Sequence, residues 1–224
     1  MRRIPAVLTV LAFSAPFSPE GQAIPIARAP AAVRPFIQRA DAAFTRIRSA
    51  HLTELAGTMR ANGAAGAIGV CHLSSAAVMD RIRREEQIAV GWTSDRLRNP
   101  TSTPPAWAAP IVRQKAGARA ASVSGFYVDL GDRVGVLRPM PEVALCAGCH
   151  GPADKLSPGV RAVLKDRYPA DRAINFKDGE IRGWLWAEIW KVERRRQVYL
   201  LPCELDRARN PPEDRLVLPE LLVW

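Results

Sequence analysis

Two rhythms organise the apolar residues of the chain. From Val33 to Met59, the residues Ile37, Ala40, Phe44, Ile47, Leu55 and Met59 recur at three- and four-residue steps. That spacing predicts an amphipathic helix, closed by Asn62-Gly63. A second helix is expected from about Ala64 to Arg84, with Ile68, Cys71, Ser75, Val78 and Ile82 on one stripe. Cys71 would then face inward.

The period next shortens to two. Ile88, Val90 and Trp92 alternate with smaller residues in "IAVGWTS", which predicts a strand. Pro104-Pro105 is placed to start a short helix that Pro110 limits. Ser122 to Val128 and Val134 to Arg138 flank "DLGD", a hairpin with a glycine in its turn. Ser157-Pro158 is an N-cap and first-turn pair for a helix running to Tyr168, where Pro169 stops it. Asp178-Gly179 turns into a last strand, Glu180 to Ile189. Helices followed by strands with short connections predict an α+β domain with an antiparallel sheet, without internal repeat.

The two ends have a different character. Met1-Arg2-Arg3, the apolar run Ile4 to Phe17 and a polar stretch ending in "GQA" at Ala23 read as a secretory signal over residues 1–23. The run is too short, and too interrupted by Pro5 and Pro16, for a stable membrane span. Cleavage and export to a bacterial periplasm or beyond are therefore expected, with retention as a tether the alternative. Residues 24–190 form the domain. Residues 191–224 are a C-terminal extension of no assigned role: a charge run "KVERRRQ", a loop "RARNPPEDR" and the apolar "LVLPELLVW".

A length of 224 residues fits one core, and the formal charge is +10. The cations are 27 arginines and five lysines scattered along the whole chain rather than gathered into a stripe. A nucleic-acid partner is accordingly not expected.

The chemistry sits in Cys146-Ala147-Gly148-Cys149-His150, a C-x-x-C-H motif. Two thiols at this spacing add across the vinyl groups of haem, and the following histidine becomes the proximal ligand of the iron. A thioredoxin-like pair should open a helix after a buried strand, which Pro152 and the loop-like "HGPADKLSP" oppose. A zinc site lacks its second close pair of ligands. One covalent haem c is therefore expected.

The other axial position is open to Cys71, His72 and His51, whereas Met140, six residues before the first motif cysteine, reads as packing. His72 lies about 100° round the helix from Cys71, so one helix orientation cannot aim both at one iron. In the "RLRNP" loop, Arg96, Arg98 and Asn99 are candidate donors for the haem propionates, a solvated loop being the plain alternative. Trp92 and Phe126 are candidate pocket walls or ordinary core. Cys203, in the extension, is a possible disulfide partner for Cys71 in an oxidising compartment.

The segments "AIGVC", "VGWTSDRLRNP", "LCAGCHG" and "YPADRAINFKDGEIRG", in this order and spacing, resemble a c-type haem family with a PAS-like fold, found as small exported cytochromes and as sensing parts of bacterial signalling proteins. The resemblance covers Val33 to Glu188. It implies a PAS-like antiparallel sheet with an N-terminal helical hairpin packed around the haem, and an iron held by His150 and by the thiolate of Cys71. Anionic sulfur on the iron favours the ferric state and a low potential.

The function expected is that of an exported monohaem cytochrome acting in redox sensing or electron transfer with an unknown redox or sensor partner, not of an enzyme. Alternatives are a peroxidase-like enzyme with an open distal face, where His51 or His72 would serve as base, and a non-haem module binding metal or exchanging thiols through the four cysteines.

Overall fold

The structure, a computed structural model, describes residues 21–192, the side chains of residues 70–75 excepted. Helix α1 spans Arg34–Ala67 and α2 spans Val70–Glu86. Pro35 opens α1, where its missing N–H costs nothing, and Gly63 interrupts the helix at φ +67°, ψ −178°. A residue with a Cβ resists that conformation, so the glycine ends the first run where the sequence placed its stop. One further turn, to Ala67, leads into α2, which closes on Gln87 in the left-handed region.

Five strands follow the pattern of apolar positions: β1 (Ile24–Pro25), β2 (Ala89–Thr93), β3 (Phe126–Asp129), β4 (Arg133–Pro141) and β5 (Ile181–Trp190). They form one antiparallel sheet in the order β1-β3-β4-β5-β2. The chain is therefore α+β, with long β4 and β5 at the centre. The edge strand β1 is only two residues long and carries no alternation that periodicity could detect.

Alternation along each strand gives the sheet two buried faces. Val134, Val136, Leu185, Ala187 and Ile189 meet Ile37, Phe44 and Ile47 of α1 and Ile82 of α2. On the opposite face Leu137, Val128 and Trp184 meet Trp107 and helix α3 (Ala109–Gln114) through Ile111 and Val112. Pro110 sits in the first turn of α3, so it starts that helix rather than limiting an earlier one. Before it, Pro105 accepts turn hydrogen bonds from Ala108 and Ala109 at its carbonyl, and the Pro104-Pro105 pair makes a turn, not a helix.

A third, smaller cluster belongs to the site. Helix α4 (Ala144–His150) carries the cysteine motif directly after β4, and α5 (Pro158–Arg167) follows, capped by the Ser157 hydroxyl, which accepts from the Val160 N–H. Ile68, Cys149, Leu156, Val160 and Leu164 pack together there. The motif segment is thus helical, but its second cysteine and histidine close the helix instead of opening it, unlike a thioredoxin pair.

Candidate haem site

His150 is the centre of the arrangement. It is 7% exposed, and its Nδ1 lies 2.7 Å from the carbonyl oxygen of Ala173. A carbonyl only accepts, so Nδ1 carries the proton and Nε2 keeps its lone pair. Burial holds the imidazole pKa well below its ordinary value, and the charges of Arg182 and Arg98 push the same way. The ring is therefore neutral at physiological pH, as a metal ligand must be.

The Ala173–Phe176 segment is itself clamped to the end of α4. The N–H groups of Asn175 and Phe176 donate to the carbonyls of Gly151 (2.9 Å) and His150 (3.1 Å), and the Asn175 side chain accepts from the Ala153 N–H. Asn175 adopts φ +63°, a left-handed conformation that asparagine tolerates better than most residues. The Phe176 ring stands edge-on to the His150 ring with centroids 6.4 Å apart. The segment "RAINF" belongs to a motif legible in the sequence, and its backbone roles arise from tertiary contacts.

Arg96 and Arg98 are braces of this clamp. Arg98 pairs with Asp171 at 3.1 Å, their side chains 9% and 8% exposed, and donates through Nη2 to the carbonyls of Cys149 (2.6 Å) and Ala173 (3.3 Å). Arg96 stacks on Phe176, 3.5 Å from the ring centroid, donates to the carbonyls of Ile174 and Asn175, and pairs with Glu180. The solvated-loop alternative is excluded for both. Asn99 instead caps the short turn after it, accepting from the Thr101 N–H.

A cavity of about 420 Å³ opens beside His150, within the range of cofactor pockets. Its wall includes His51, Met79, Trp92, Met140, Arg182 and Trp186, along with Arg96 and Arg98. Several of these residues have buried donors with no partner: Nε1 of Trp92 and Trp186, Oγ1 of Thr93, Nη1 of Arg98 and Nε of Arg182. Buried donors without hydrogen bonds are costly, and that of Arg182 faces the Glu142 carboxylate at 3.5 Å. The guanidinium groups of Arg96, Arg98 and Arg182 on the cavity wall suit carboxylates such as those of a porphyrin.

Cys146 and Cys149 lie three residues apart on α4. Cys149 is buried with its Sγ 3.8 Å from the carbonyl of Ala64, in the cluster that includes the cavity residue Ile68. His51 lines the cavity too, its ring edge-on to Trp92 at 5.3 Å, and burial lowers its pKa. Phe126 packs on Trp184 on the other face of the sheet and is no pocket wall. Met140 packs in the core, as its position in sequence suggests, and also lines the cavity.

The side chains of Cys71 and His72 lie outside the described residues, as does Cys203. Position 71 is in the first turn of α2. Further along α2, Val78 and Ile82 pack on the core, while Ala76, Met79 and Arg83 line the cavity. Position 72 continues the row of these three, and position 71 lies about 100° from it.

These features define an α+β protein with a helix-borne C-x-x-C-H motif, a neutral buried histidine and an adjoining pocket. The chain belongs to the Tll0287-like family, whose model matches residues 22–189. In fold it is similar to the chain in "Crystal structure of the cyanobacterial heme-protein Tll0287": the TM-score is 0.52 and the identity 20%, over 70% of this chain and 95% of that one. No curated protein matches.

Proposed function

We propose that the protein binds one haem c, attached through Cys146 and Cys149, with His150 on one side of the iron and Cys71 on the other. It serves as an exported cytochrome in redox sensing or electron transfer, on a PAS-like scaffold. The observation that carries this reading is His150, whose Nδ1–H is held by the Ala173 carbonyl at 2.7 Å beside a cofactor-sized cavity. That hydrogen bond fixes the tautomer and orients Nε2 as a ligand. A fold relative described as a heme-protein supports it, as do Arg96, Arg98 and Arg182 on the cavity wall, which suit haem carboxylates.

The group would supply one-electron exchange. The chain's own residues hold it: the Arg98–Asp171 pair and Ala173 fix the histidine, and Trp92, Met140 and Trp186 give the cavity apolar wall. Ligation on both sides leaves no vacant position for peroxide, which favours electron transfer over catalysis.

A second reading replaces the Cys71 thiolate by a histidine. His51 lines the cavity, and position 72 shares the row of its α2 lining residues. Absorption and EPR spectra of the holoprotein separate the two. Cys71→Ala is expected to abolish a low-spin ferric thiolate signature. An unchanged spectrum in Cys71→Ala with a changed one in His51→Ala or His72→Ala rejects the thiolate.

A further inference from the structure

Glu142 stands at the joint between β4 and α4, four residues before the first motif cysteine, and is 1% exposed. Its backbone is fixed at both polar groups: its N–H donates to the Glu180 carbonyl at 2.8 Å, and its carbonyl accepts from the Gly179 N–H at 2.9 Å. Its side chain is held by very little. Neither carboxyl oxygen has a hydrogen-bond partner. A cation does face it, Arg182 of β5, with Nε 3.5 Å from Oε2 and outside hydrogen-bond geometry.

An ionised carboxylate so deeply buried is expensive without hydrogen bonds, and one loosely placed guanidinium only partly offsets that. The other charged groups around it are mixed in sign: Glu180 and Asp178, from the turn before β5, favour the protonated form, and Arg96, after β2, favours the charged one. The carboxyl is thus poised between its two forms near neutrality. Arg182 also lines the cavity beside His150, and its charge is felt by both His150 and His51. A charge that enters the cavity therefore acts on the same low-dielectric region that holds Glu142.

We infer that Glu142 takes up a proton from solvent when the haem site accepts an electron, so that the protein carries a proton together with the electron. This rests on the haem reading above. The step balances as one electron from an external one-electron donor to the ferric iron, and one proton from water to the Glu142 carboxylate, with both returned on oxidation. The added negative charge in the cavity competes with Glu142 for the positive field of Arg182, and protonation relieves the competition. By linkage, the proton in turn raises the affinity for the electron.

The experiment is a spectroelectrochemical titration of the haem-loaded protein across the neutral pH range, after a denaturing spectrum has established covalent haem. The midpoint potential is expected to fall as pH rises, towards a limit of about 59 mV for each tenfold change in proton activity. In Glu142→Gln the potential should lose this dependence and stay near the acid value of the wild type. A flat wild-type profile, or an unchanged slope in the variant, overturns the inference. Infrared difference spectra of wild-type protein with isotopically labelled glutamate need no variant. A protonated glutamate carboxyl gained on reduction supports the inference, and its absence overturns it. A chain without covalent haem overturns the haem reading as well, whereas a haem-bearing chain with a flat profile overturns only the coupling.

Discussion

Glu142 also sets a stability profile that does not depend on cofactor. Burial pushes its carboxyl up from 4.5 to about 7, with Arg182 opposing the shift and Glu180 and Asp178 adding to it. Between those two values the folded chain holds more protons than the unfolded one, so this group's stabilisation is complete below the lower value and lost as pH rises through the upper. Glu142→Gln should therefore be more stable than wild type on the alkaline side, by roughly 1–3 kcal/mol, and lose the difference in acid. Urea titrations at both ends check this, and identical pH profiles would refute it. Arg98 makes a different case, a cation tied at Nε to Asp171 and at Nη2 to two carbonyls. Arg98→Ala leaves the largely covered Asp171 carboxylate without its cation and frees the Cys149 and Ala173 carbonyls, a loss expected to be about 3 kcal/mol. Arg98→Lys should restore little, since an ammonium cannot reproduce the planar fork.

The helices depend on local chemistry at a few positions. At Gly63 a Cβ would meet nothing within 4 Å, so the cost of Gly63→Ala is conformational alone, at φ +67°. It is expected to be about 1–3 kcal/mol, measured by thermal unfolding, and a neutral result would mean that the helix break relaxes at no cost. Ser157→Ala removes the α5 cap and should cost about 1 kcal/mol. Gly91 does a different job on β2. A Cβ there would lie 2.7 Å from the Trp186 ring, so the absent side chain lets that ring lie across the strand and form part of the cavity wall.

Across the whole molecule, the sheet order β1-β3-β4-β5-β2 puts the last strand between β4 and β2 and so brings distant segments to one place. The loop after β2, the motif helix after β4 and the approach to β5 all converge on His150. A cofactor bound there would tie these segments together. Haem-free chain, or Cys146→Ser with Cys149→Ser, is expected to melt several degrees below the loaded protein. Equal melting temperatures would show that the cavity is stable when empty. Among the described residues no helix is long and apolar enough to cross a membrane.

The apolar repeat placed the helical hairpin, and the turn residues of "DLGD" and Asp178-Gly179 placed the β3–β4 hairpin and the last strand, because these signals act within a few residues. The C-x-x-C-H spacing marked His150 by its covalent chemistry, and Ser157 and Gly63 were legible because caps and stops act within a few residues. The remaining features depended on contacts across long stretches of chain. Whether Arg96 and Arg98 serve a loop or brace a histidine turns on contacts more than 50 residues away in sequence. Nothing in the local sequence distinguishes Glu142, which only the fold buries. Phe126 and Trp92, similar as aromatic strand residues, were separated by the side of the sheet that each faces. Local sequence fixes which groups are present and the rhythm of the backbone around them; only the packed fold sets which charges lose their water and which donors lack an acceptor.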